Sequence, residues 1–155
     1  MKDVGRARPW VATVLVAWLG LASAHAYLET ASPEAYGMWT ASAGPIVLGF
    51  SMAVEIGFSR FELVRLPDGF AGGGSRGVDV AERGGLDAFA RQHLARAAPD
   101  DRLPLTVTPP RGRAERLELR ADERIGPGAF LLAYRVLAVD GHVTEGLLVF
   151  FVGDE

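Results

Sequence analysis

The chain has 155 residues, 49% of them hydrophobic and 23% charged, with a formal net charge of −3 and no cysteine. That length is enough for one domain with a core of its own. The lack of thiols excludes a disulfide framework, cysteine zinc sites, a blue-copper thiolate and thiol catalysis, and an acidic chain without a basic run offers nothing to nucleic acid or to an anionic membrane surface.

The chain opens with Lys2, Arg6 and Arg8, followed by an apolar run from Trp10 to Leu21 and the small-x-small sequence Ala22-Ser23-Ala24. This is the pattern of a secretory signal, and the run is shorter than the about 20 apolar residues a membrane span needs. Residues 1–24 are therefore expected to be a signal peptide cleaved after Ala24. Loss of Lys2, Arg6, Arg8 and Asp3 takes the 16 basic and 19 acidic residues to 13 and 18, a formal charge of −5 on a mature chain 25–155. No second hydrophobic segment follows, so the mature product is expected outside the cytoplasm and not itself membrane-spanning.

Along the mature chain, Ile46 to Phe50, Phe61 to Leu66, Leu103 to Thr108 and Glu115 to Arg120 have strand character with Pro or Gly nearby. In the last of these, alternation turns Leu117 and Leu119 to a core and Arg116, Glu118 and Arg120 to water. Ala129 to Val139 and Glu145 to Val152 are two β-rich runs joined through Asp-Gly, a hairpin signature. Between the early and late strands, Gly69 to Gly85 reads as a glycine-rich flexible excursion. Leu86 to Ala97 then places Leu86, Phe89, Ala90, Leu94 and Ala97 at helical spacings. Pro99, Asp100 and Asp101 close this insertion, about 69–101. Several short strands separated by turns predict an all-β sandwich or barrel, with a short helix in a central insertion.

The residues with metal chemistry sit at the two ends of the mature chain. Cleavage after Ala24 makes His25 residue one, with a free α-amine beside its imidazole. Amine and ring Nδ1 can close a six-membered chelate on a metal ion, and imidazole nitrogen suits copper. Near the other end, Asp140 and His142 are two apart, so on an extended segment they point to one side, and Gly141 between them allows a tight turn. Taken alone, Asp-Gly-His is an ordinary hairpin turn with an exposed histidine. With His25 it proposes an amine nitrogen, two imidazoles and a carboxylate. The remaining histidine, His93, has no His, Asp or Glu three or four residues away and reads as a surface or partly packed side chain. Glu29, Glu34 and Glu55 are candidate acceptors near the N-terminal strand, and alternation puts Tyr27 on the same face as His25. There is no G-x-S-x-G elbow, P-loop or H-E-x-x-H.

The stretch Pro127-Gly-Ala-Phe-Leu-Leu-Ala-Tyr-Arg-Val-Leu-Ala-Val-Asp-Gly-His142, followed by Gly146 and Phe150-Phe-Val152, resembles the C-terminal signature of the CopC/PcoC copper resistance proteins. The front is similar too, in His25-Ala-Tyr-Leu28, Ser32-Pro33, Pro45-Ile-Val-Leu-Gly-Phe-Ser51 and Val54-Glu55. The insertion has no clear counterpart. The resemblance implies a small periplasmic Greek-key β-sandwich, cupredoxin-like or immunoglobulin-like. It also implies one Cu(II) per chain, held by the His25 amine and ring, Asp140 and His142 in a type 2 site. Several members add a Cu(I) site built from a methionine-rich run. This chain has no such run, and no Cu(I) site is expected. Met52 stands where the family often has a glutamate and is either a core filler or a soft axial contact. Tyr134 stands where tryptophan is usual.

The implied function is copper homeostasis and resistance without catalysis: a periplasmic metallochaperone that sequesters copper or delivers it to an inner-membrane CopD-type partner. Two alternatives belong to other classes. A copper oxidase or monooxygenase of the lytic polysaccharide type also uses an amino-terminal histidine chelate, but Asp140 in the fourth equatorial position would block the site that oxygen needs. A metal-free immunoglobulin-like assembly module leaves His25 unexplained.

Overall fold

A computed structural model describes residues 25–40, 44–67, 70, 80–121 and 125–153. The expected signal peptide, residues 1–24, and most of the glycine-rich excursion lie outside the described residues. The strands are β1 (Leu28–Ser32), β2 (Met38–Trp39), β3 (Ile46–Glu55), β4 (Arg60–Arg65), β5 (Arg102–Leu103), β6 (Leu105–Thr108), β7 (Arg113–Ala121), β8 (Gly128–Leu137) and β9 (Val143–Val152), with one α-helix, α1 (Val80–Arg96), between β4 and β5.

Two sheets face each other. One runs β1-β3-β7-β6 and the other β2-β9-β8-β4-β5, so the chain crosses repeatedly from sheet to sheet in the manner of a Greek key. All pairings are antiparallel except that of β2 with β9. Strand alternation explains the core between them. Leu48, Phe50 and Val54 of β3 and Leu117 and Leu119 of β7 point inward from the first sheet. Leu63 of β4, Phe130, Leu132 and Val136 of β8 and Leu148 and Phe150 of β9 meet them from the second. Leu117 and Leu119 are fully buried and Arg116 and Arg120 exposed, as their alternation requires. The Phe150 ring stacks on Phe130 with centroids 5.8 Å apart and takes the edge of Trp39, also at 5.8 Å.

The helix covers the outer face of the second sheet. Ala90 is fully buried there among Leu66, Ala129, Leu131 and Val149, with Leu94, Tyr36 and Phe70 packed around them. Phe89 is not part of this face; it stays 42% exposed and lies against Phe70, 5.2 Å between centroids. The helix also begins earlier than its sequence suggests, taking in Gly84 and Gly85. Tyr36 anchors it. This residue adopts a left-handed backbone with φ 60°, its hydroxyl donates to the Asp87 carboxylate, and the Arg83 guanidinium lies 5.3 Å from its ring centroid. At the C-terminal end, Arg102 donates to the Leu94 carbonyl at 3.1 Å and pairs with Glu62.

Leu103 to Thr108, expected as one strand, is two. Pro104 has no N–H to give to a ladder, and the chain changes sheets there. Leu103 pairs with β4 in the second sheet, and Leu105 onward pairs with β7 in the first.

Candidate metal centre

Three segments meet at one end of the sandwich. The first is the stretch leading into β1. Ala26 is fully buried in the main core, which turns its neighbours His25 and Tyr27 outward, both exposed. The second is the latter half of β3, whose pairing with β7 slips between Gly49 and Val54. On the edge of β3 away from β7 this stretch contacts both of the other segments. Ser51 N donates to the Tyr27 carbonyl at 2.9 Å. Its Oγ accepts from Tyr27 N at 3.1 Å and donates to the His25 carbonyl at 3.3 Å. Val139 N donates to the Ala53 carbonyl at 3.1 Å, and Val54 bridges to Ala138.

The third segment is the turn from Ala138 to His142 that closes the β8–β9 hairpin. Ala138 N donates to the His142 carbonyl at 2.8 Å and Gly141 N to the Ala138 carbonyl at 2.9 Å. Gly141 sits at φ 91°, a backbone region open to glycine and costly for other residues. Asp140 Oδ1 accepts from His142 N at 3.0 Å and Oδ2 lies 3.3 Å from His142 Nδ1. Asp140 and His142 are thus neighbours, but through a carboxylate-closed turn and not through alternation along an extended segment.

These segments bring His25 beside His142, with ring centroids 4.6 Å apart and planes inclined by 44°. The Asp140 carboxyl is held below the usual carboxylate range. The backbone N–H of His142 is the largest cause; the His142 ring and the charge of His25 act in the same direction against a partial loss of hydration. His142 is half exposed and the Asp140 side chain a quarter exposed. The site is an open surface feature, flanked by the exposed Tyr27, Val139 and Val143. Among the described residues no group of three or more His, Asp or Glu side chains is already arranged to hold a metal ion. The Asp140 carboxylate is turned onto His142 itself.

The other candidates lie elsewhere or play structural parts. Met52 is half-buried and packed against the main core. Glu55 pairs with Arg113 at 2.6 Å, and Glu29 and Glu34 are exposed. His93 is far from the site in the fold: its Nε2 is 3.2 Å from the Arg65 carbonyl and its ring stacks on Phe89. Tyr134 lies on the inner face with its ring edge-on to Phe50, centroids 5.7 Å apart, and burial raises its phenol above the usual range. It covers Gly146, where an added Cβ would collide with the phenol. Ser51 is not among the residues the sequence singles out; its only signal there is its place after Phe50.

A model of the CopC domain matches residues 28–153. PcoC, a methionine-rich copper resistance protein from Escherichia coli, is 18% identical with a TM-score of 0.57, the match covering 83% of this chain and 99% of that one. Its selenomethionine form gives 19%, 0.56, 82% and 99%. CopC from Methylosinus trichosporium OB3b is 23% identical with a TM-score of 0.49, covering 83% and 93%. For the two PcoC structures the likeness is one of fold. No curated protein matches the chain. The matched stretch takes in every described strand of both sheets, and the chain belongs to the CopC domain family.

Proposed function

We propose that the mature chain is a periplasmic Cu(II) protein that sequesters copper or passes it to an inner-membrane partner of the CopD type. One ion per chain would be held by the His25 amine and ring, the His142 ring and the Asp140 carboxylate. The observation that carries this reading is the meeting of His25 and His142, 4.6 Å between ring centroids, beside a carboxylate already biased toward its charged form. Nitrogen donors with a hard anionic oxygen favour Cu(II). The sequence has three methionines, Met1, Met38 and Met52, and no cysteine, so it offers no soft donor cluster for Cu(I).

Binding would use the residues as follows. Cleavage after Ala24 supplies the amine. The Asp140 carboxylate would exchange its contact with His142 Nδ1 for the ion, and the bond it accepts from His142 N would still fix the turn. Half exposure of His142 leaves the ion open to a partner's ligands, as transfer requires. Asp140, added to the nitrogen donors, would complete the donor set and so would favour carriage over oxygen chemistry. Export rests on the residue pattern of 1–24; no helix among the described residues is long and apolar enough to cross a membrane.

Chelator-competition titrations of Cu(II) and of Cu(I) into protein beginning at His25 test the reading. One tight Cu(II) equivalent and weak Cu(I) binding are expected. Equal or stronger Cu(I) binding contradicts it.

A further inference from the structure

We infer that Ser51 is a positioning residue for the His25 end of the site. The inference rests on the copper reading above for its consequence, though not for its geometry.

A terminal residue has no preceding chain to hold it, and an amine chelate needs its main chain fixed before the metal arrives. Short side-chain-to-backbone bonds are the available means. Ser51 makes three contacts to two residues, Tyr27 and His25, on either side of the buried Ala26. Its N–H holds the Tyr27 carbonyl, its Oγ accepts from Tyr27 N, and the same hydroxyl donates to the His25 carbonyl. The hydroxyl is therefore both donor and acceptor, which serine can be and alanine or valine cannot. These contacts extend the β1 edge of β3 beyond the Leu28↔Phe50 pair. Two residues further on, the same strand receives Val139 through the Ala53 carbonyl. One short segment of β3 thus fastens both ligand-bearing parts, the His25 end through Ser51 and the Asp140–His142 turn through Ala53. Burial of Ala26 sets which way His25 faces, and Ser51 sets where its main chain lies.

The test compares Ser51→Ala, Ser51→Thr and Ser51→Val in the exported chain beginning at His25. Thr and Val have the same size and differ in the hydroxyl alone, so their contrast survives any general loosening caused by Ala. Two quantities are read: exchange of the Tyr27 amide in metal-free protein, with β8 and β9 amides as internal reference, and Cu(II) affinity by chelator competition. Loss of the hydroxyl should speed Tyr27 exchange relative to the reference about five-fold or more, the worth of one net hydrogen bond. It should weaken Cu(II) binding by a similar factor, with Thr close to wild type in both. Unchanged Tyr27 exchange in both Ala and Val overturns the clamp. Faster exchange with unchanged affinity overturns its positioning role. Failure of the wild type to bind Cu(II) would defeat the copper reading, and Tyr27 exchange in the metal-free variants would still decide the clamp.

Discussion

Asp140 carries two duties that substitution can separate. Its Oδ1 closes the turn onto His142 N and its charge is the anionic donor of the proposed site. Asp140→Asn keeps an oxygen for the turn and removes the charge, so Cu(II) affinity should fall by at least the about 10- to 100-fold that losing a group which merely orients a ligand costs. Chelator competition reads this directly, and the melting temperature should barely change. Because the folded carboxyl sits below its unfolded value of about 3.9, its contribution to stability is complete above that value. It is lost only as pH falls through the lower, folded value. Copper should leave at higher pH than this, since amine and imidazole bind only when deprotonated. Gly146 is a second residue whose identity is imposed by a neighbour. Tyr134 occupies the place of its side chain, so Gly146→Val should lower stability by about 1–3 kcal/mol in chemical denaturation, as overpacking does. At this scale the sequence made His25, Asp140 and His142 visible through residue type and position. Ser51 was not visible, because one serine in a strand acquires meaning only from what the register brings against it.

Elements were legible where alternation is regular and both ends are punctuated. The β8–β9 hairpin runs in unbroken register from Gly128↔Val152 to Leu137↔Val143, matching its two apolar runs. The N-terminal strand is expected from the sequence but without bounds, because β1, Leu28–Ser32, is a mostly exposed edge strand without an apolar stripe. β2 is two residues long, too short for periodicity. The start of α1 was misread because Gly84 and Gly85 disfavour helix by about 1 kcal/mol each; burial of Ala90 and the Tyr36–Asp87 bond hold the helix regardless. Tyr36→Phe should therefore cost about 1 kcal/mol and increase protease cleavage within the helix ahead of the sheets. Burial, then the bond to Asp87 and its negative charge, push the Tyr36 phenol well above the tyrosine range. A raised value in the fold means the stabilisation is complete below about pH 10, the unfolded value, and drains away as pH rises through the folded one. Melting temperature should decline above about pH 10, and Tyr36→Phe should show a shallower decline.

On the scale of the whole molecule, the sandwich works as a frame that joins segments from the two ends of the described chain. Crossings between sheets set β1 beside β3 and the β8–β9 turn at the same edge, so His25 and His142, remote in sequence, become neighbours without a dedicated loop. The helix is packed on the outer face of the second sheet. Composition and strand spacing indicated the fold class because thickness, alternation and turn chemistry recur along the chain. Donor chemistry in the sequence already grouped His25 with Asp140 and His142, but their contact is visible only in the fold, since nothing local encodes a contact between segments so far apart. In the proposed function, processing at Ala24 completes a copper site. The most direct measurement is electron paramagnetic resonance during titration of one Cu(II) equivalent into periplasmically exported protein, with intact mass establishing His25 as residue one. A saturable axial type 2 signal with nitrogen hyperfine structure is expected, abolished when one extra residue precedes His25. An identical signal with the extra residue present, or none in the processed protein, would contradict it.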